Sequence, residues 1–256
     1  YDIKVTTDKL LFVNTDRKMN ELYYGSALVS GVIHLWGDPG SIQLDADATT
    51  VKGTDLNIPL DYVYDVSDND YIQFIPPPVD SSLLEKKSAV ITKEQQLNLE
   101  TAHQSLGYDI KLKAKVNPAA KVNIYLPSEL GRIESQGDGL LKIDATSAGV
   151  FSIIGDYIIN KGYFHFTFKN LVSKRFDLVE GGKISWTGDP TGANLNIRGL
   201  YKVKTNVTNL GVVIDSTASY KNKLDVYCYI SLTNKLLNPT IRFSIDIPDA
   251  DPDLKR

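Results

Sequence analysis

Apolar and polar residues alternate with a period of two along most of this chain, a pattern that suits a half-buried strand and not a helix. In "SIQLDADATT", Ile42, Leu44, Ala46 and Ala48 share one face, and Gln43, Asp45, Asp47 and Thr49 take the other. "DIKLKAKV" sets Ile110, Leu112, Ala114 and Val116 against Asp109, Lys111, Lys113 and Lys115. "YFHFTFKN" places Phe164, Phe166 and Phe168 opposite His165 and Thr167. Further on, Leu195, Ile197, Tyr201 and Val203 oppose Asn196, Arg198, Lys202 and Lys204. Two more runs follow, through Leu224, Val226, Cys228, Ile230 and Leu232, and through Ile241, Phe243, Ile245 and Ile247.

Strands with one apolar and one wet face belong to antiparallel sheets, since parallel sheets are covered on both sides. Gly- and Pro-bearing segments ("WGDPG", "NPAA", "QGDG", "TGDPTG") read as turns between the runs. Roughly a dozen such runs in one sheet at about 4.8 Å spacing would extend about 60 Å, and so wide a sheet curls or folds over. The expected class is therefore all-β, mostly antiparallel. Alternation by itself leaves two closures open: a β-sandwich with a dry core, or a curved sheet that lines a trough.

One interval departs from the pattern. After Pro76, Pro77 and Pro78 comes a polar stretch rich in Lys, Glu and Gln. Residues 79–105 are expected to form a loop or short helix that separates an N-terminal part, 1–78, from a C-terminal part, 106–256.

Composition narrows the function. The net charge is −3, so no basic excess exists to neutralise a nucleic-acid backbone, and no nucleic-acid partner is expected. No stretch approaches the roughly 18 apolar residues that cross a bilayer as a helix. The chain opens directly on a strand-like run at Tyr1 and reads as an interior piece of a longer protein.

Catalytic and metal-ligating signals are thin. His34 and His165 fall on strands and His103 in the polar interval, while Cys228, the only thiol, lies on the apolar face of its strand. None of the usual zinc spacings occurs, so neither a metal nor a cofactor is expected. Gly181-Gly182-Lys183 lacks the setting of a phosphate loop and reads as a hairpin turn. Asp65, Asp68 and Asp70 do not match a calcium loop, and Asp249, Asp251 and Asp253 form a Pro-broken acidic tail. The chain is not expected to be an enzyme.

The segment "FHFTFKNLVSKRFDLVEGGKISWTGDPTGANLNIRGLYKVKTNV" resembles the C-terminal domain of the TamB family, translocation and assembly module subunits. Its Gly-Gly-x-Ile-x-Trp-x-Gly-Asp-Pro pattern is matched by Gly181, Gly182, Ile184, Trp186, Gly188, Asp189 and Pro190. The strand that follows carries Leu195, Ile197 and Tyr201, with Gly199 where the family usually has alanine. A second block, "KLDVYCYISLTNKLLNPTIRFSIDIPDAD", matches at Asn238, Pro239, Phe243, Pro248 and Asp249.

The resemblance implies an elongated sheet bent into a taco-like trough with a hydrophobic interior. It also implies a periplasmic segment of a parent anchored in the inner membrane, and an outer-membrane barrel partner of the TamA type. Two roles go with it: a lipid conduit between the membranes, or a scaffold that assists outer-membrane protein assembly by strand addition. In a conduit, phospholipid acyl chains would lie along Ile42, Leu44, Ile110, Leu112, Phe164, Phe166, Phe168, Ile184, Trp186, Leu195, Ile197, Val203, Val226, Ile230, Ile241 and Phe243.

Overall fold

The computed structural model describes residues 1–20, 22–60, 107–127, 130–168, 172–205 and 223–248. Among them are thirteen strands in a single sheet and no helix. The strands are β1 (Asp2–Thr15), β2 (Tyr24–Trp36), β3 (Ser41–Thr50), β4 (Asp55–Pro59), β5 (Gly107–Val116), β6 (Lys121–Leu126) and β7 (Gly131–Thr146). They continue with β8 (Phe151–Phe168), β9 (Val172–Leu178), β10 (Gly182–Gly188), β11 (Asn194–Thr205), β12 (Leu224–Lys235) and β13 (Asn238–Asp246). The alternating runs found in the sequence are these strands, and the class is all-β as their period requires.

Pairing is antiparallel except at β3–β5 and β4–β6, which run parallel. These two ladders join the part before residue 61 to the part after 106 in one sheet. A tight hairpin cannot join parallel neighbours, and each of these ladders pairs strands well separated in the chain. The expected polar insertion, 79–105, falls outside the described residues, as do His103, Asp65, Asp68 and Asp70.

Three pairs of short strands are collinear. β3 and β4 both pair with β2, β5 and β6 both with β7, and β9 and β10 both with β8. Each is one long strand interrupted by a tight turn. The turns close the same way: Thr54 N–H donates to the Val51 carbonyl at 3.2 Å, Ala120 to Asn117 at 3.0 Å and Gly182 to Val179 at 3.4 Å. Register places them in one line across the sheet, because 49 pairs with 115 and 55 with 121. The line continues through Gln136–Asp138 of β7 and Asn160–Gly162 of β8. It is a crease that divides the sheet into two flanks.

The crease corrects two turn assignments. "QGDG" lies inside β7, where the strand crosses the crease, and is not a turn between strands. Gly181-Gly182 marks the break between collinear β9 and β10; these strands do not pair with each other, so no hairpin forms there. Both segments need glycine because the backbone bends, and bending and reversal leave the same mark in sequence.

At the crease β8 gains one residue on β7: Ile159 pairs with Gly137 and Lys161 with Gln136, leaving Asn160 unmatched. The bulge reverses the side-chain parity. Tyr157 and Ile159 therefore share a face with Phe164 and Phe166, although odd and even positions would otherwise oppose each other.

The core is one cluster on this inner face. It runs from Leu60, Ile124, Leu126 and Ile133 through Tyr157, Ile159, Phe164 and Phe166 to Ile184, Leu195, Ile197, Ile230 and Leu232. Each fully buried Ile, Leu or Phe contributes about 1.5–3 kcal/mol. The sheet also curls. The Phe166 and Phe243 rings stand 5.5 Å apart, and Phe176 and Phe243 6.5 Å. The path from β8 through β9, β11 and β12 to β13 would span about 19 Å if flat, so the β13 end turns inward.

Candidate functional site

The inner face is continuous across six strands, from β1 through β2, β3, β5 and β7 to β8. One cross-strand row runs Ile3, Leu35, Leu44, Ile110, Ala145, Phe151. The next row runs Val5, Ile33, Ala46, Leu112, Ile143, Ile153. Burial changes along the strands: in the first rows Leu44, Ile110, Leu112, Ile143 and Ile153 are half-buried, Ile3, Val5 and Phe151 exposed, and only Ile33 and Ala46 buried. Nearer the crease, Val116, Tyr157 and Ile184 are buried. The face is half-open at one end and sealed at the other.

This gradient divides the residues expected to line a groove. Ile42, Leu44, Ile110 and Leu112 meet in register on β3 and β5 and remain half-exposed. Phe164, Phe166, Ile184, Trp186, Leu195, Ile197, Val226 and Ile230 are buried in the core and offer no free surface to a ligand. Val203 and Ile241 are half-buried at its margin, and Phe168 and Phe243 are exposed. Sequence reasoning missed Ile143 and Ile153. In "RIESQGDGLLKIDAT" and "FSIIGDYIIN" the period is masked by glycines and apolar doublets. Counting odd positions alone (153, 155, 157, 159) would have revealed the inner face.

One polar group enters the core. The Tyr157 hydroxyl lies 3.2 Å from Ser135 Oγ, which donates to the Val122 carbonyl at 3.2 Å. Burial pushes the Tyr157 phenol up to about 12; Asp138 adds to the rise and the Ser135 bond opposes it. Burial likewise raises the Cys228 thiol, on the inner face between Tyr201 and Ile245.

The outer face is mixed: Leu140, Ile154 and Ile158 are exposed on it, beside polar clusters. Around an open cavity of ≈ 440 Å³, Asn123 Nδ2 donates to Asp55 at 2.8 Å and to Asn57 at 3.1 Å. There Arg132 pairs with Glu134, and His165 lies 3.5 Å from the same carboxylate. Among the described residues no three His, Cys, Asp or Glu side chains gather as metal ligands.

The most distinctive motif in the sequence builds a turn. Asp189 Oδ1 accepts from the Thr191 amide at 2.9 Å and from its hydroxyl at 2.8 Å, which holds the Asp189 carboxyl below its ordinary pKa. Trp186 Nε1–H donates to the Pro190 carbonyl at 3.1 Å, tying the indole of β10 to the turn that starts β11. Lys235 Nζ donates to the Gly192 carbonyl at 2.9 Å from β12. Gly-Asp-Pro and the tryptophan are therefore one device that registers β10, β11 and β12.

The profile of the TamB C-terminal domain family matches residues 1–255. The chain belongs to that family. Comparison with curated proteins gives no match. As a TamB C-terminal domain it stands among cell-envelope proteins of the translocation and assembly module, which associate with outer-membrane proteins of the TamA type. Among its described residues no helix is long and apolar enough to cross a membrane.

Proposed function

We propose that this TamB-family domain is a lipid-contacting scaffold of the periplasm, in which the half-open flank of the inner face receives phospholipid acyl chains. The observation that carries the reading is the unbroken apolar surface of Leu44, Ile110, Leu112, Ile143 and Ile153, half-exposed on adjacent strands of one sheet. Soluble proteins seldom leave contiguous apolar area beyond a few hundred Å² uncovered. An acyl chain fits it, at about 0.8 kcal/mol per buried CH₂, with no polar partner required. The sheet acts as a trough whose sealed flank stiffens the structure and whose open flank holds the chain.

The reading makes a positional claim. Photo-crosslinkers at Leu112 and Ile143 are expected to capture phospholipid in cells, and those at Ile197 and Ile230 to capture only the domain itself. Lipid adducts absent at both open-flank positions would overturn the proposal.

A second reading has its own support. Among the described residues β1, fourteen residues long, pairs with β2 alone and so stands as an edge strand. Long edges of this kind invite strand addition, which suits a scaffold for outer-membrane protein assembly. Pro or N-methyl substitution along the outward edge of β1 is expected to abolish capture of an unfolded barrel strand if this operates, and to leave lipid crosslinks unchanged.

A further inference from the structure

The half-open flank ends in a rim that differs from the other turns. The strand ends there are held side by side: Gly107 N–H donates to the Gly40 carbonyl at 2.9 Å and Ser147 N–H to the Tyr108 carbonyl at 2.9 Å. On this level stand Ile3, Trp36, Tyr108, Val150 and Phe151. Ile3, Tyr108, Val150 and Phe151 are exposed, and Val150 is 54% accessible at a turn tip where a polar residue is the rule. Tyr108 and Phe151 lie on the inner side; Trp36 lies on the outer side, stacked on His34 at 4.3 Å.

Rings gathered at one level, with apolar residues leading inward, have the chemistry of an interfacial belt: Trp and Tyr settle where headgroups meet acyl chains. The charges beside the rim decide which surface it suits. Asp2 pairs with His34 at 2.7 Å, Asp109 with Lys111 at 3.6 Å, and Asp38 lies in the adjoining turn. The balance is not basic, so attraction to an anionic leaflet is not the driving term. We propose that this rim docks in the headgroup layer of a zwitterionic phospholipid bilayer and presents the mouth of the inner face to the acyl chains. The inference rests on the lipid-contact reading for its purpose, though its test is separate.

The test uses the full chain with phosphatidylcholine vesicles, unlabelled or brominated on the acyl chains. Binding by sedimentation is expected at low and high salt. Brominated lipid is expected to quench Trp36 and to spare Trp186, which is buried. Phe151→Ser and Tyr108→Ser each withdraw one exposed ring and are expected to weaken partitioning about tenfold, about 1.4 kcal/mol, at an unchanged melting temperature. Should the variants fail to fold, quenching of Trp36 in the unsubstituted chain decides the matter. Three results would overturn the proposal: no binding to phosphatidylcholine; binding confined to anionic vesicles and lost in salt; or full binding by both variants with loss on Leu140→Ser, on the opposite face. Vesicle docking without crosslinks at Leu112 and Ile143 sinks the conduit and leaves the rim standing, and the converse result does the reverse.

Discussion

At residue scale Gly199 is closed off by neighbouring side chains, without a left-handed backbone. A Cβ there would meet Ile230 Cγ2 and Phe176 Cβ, each at 2.9 Å, and neither atom is the free end of a flexible chain. Gly199→Ala is expected to lower stability by about 1–3 kcal/mol through overpacking, measured by denaturant unfolding. Gly155 is constrained by conformation: its φ is 136° and a Cβ would stand 2.0 Å from the Leu140 carbonyl oxygen. Tyr157 makes the pH prediction. Its folded pKa of about 12 exceeds the unfolded value near 10, so the folded state holds the proton more tightly. Its contribution is complete below pH 10 and declines between 10 and 12, by up to about 1.4 kcal/mol per pH unit. Tyr157→Phe is expected to remove that part of the alkaline loss, read as the difference between the two melting profiles.

At the scale of elements, β8 shows how one residue keeps a long strand amphipathic. Asn160 is unmatched in the ladder and donates to Asp138 across the outer face at 2.8 Å. Deleting it would restore simple alternation and turn either Tyr157 and Ile159 or Phe164 and Phe166 to water. The loss of two such side chains from the core approaches the whole margin of an ordinary domain, about 5 kcal/mol at the low end. The deletion is expected to abolish cooperative unfolding by circular dichroism. The β10–β11 turn is a smaller lever. Asp189→Ala removes both bonds to Thr191 and is expected to cost about 1 kcal/mol, with faster amide exchange at the start of β11.

At the scale of the molecule, the two ends of the inner face should answer a charge differently. Ile197 has no accessible surface, so Ile197→Asp places an unpaired carboxylate in the core and is expected to unfold the domain. Leu112 is half-exposed, and Leu112→Asp can keep its charge in water. It is expected to cost about 2 kcal/mol or less by thermal melting while eliminating lipid crosslinks from Ile143. Equal loss of stability in both variants would mean that the open flank is covered in solution.

Local alternation determined the strands, their apolar faces and the all-β class, because side-chain period depends only on backbone geometry. The resemblance at Trp186, Asp189 and Pro190 also pointed to the family, and in the structure these residues build one turn. Tertiary structure alone decided the crease, the parallel return of β5 beside β3, and the difference between the two flanks. A turn that bends a strand and a turn that reverses it use the same glycines, so "QGDG" and Gly181-Gly182 could not announce which they were. Ile110 and Ile197 likewise look alike in their strands; one stays half-open and the other is sealed. Alternation assigns a residue to a face, but whether that face meets solvent depends on how the sheet curls, and curling is a property of many strands together.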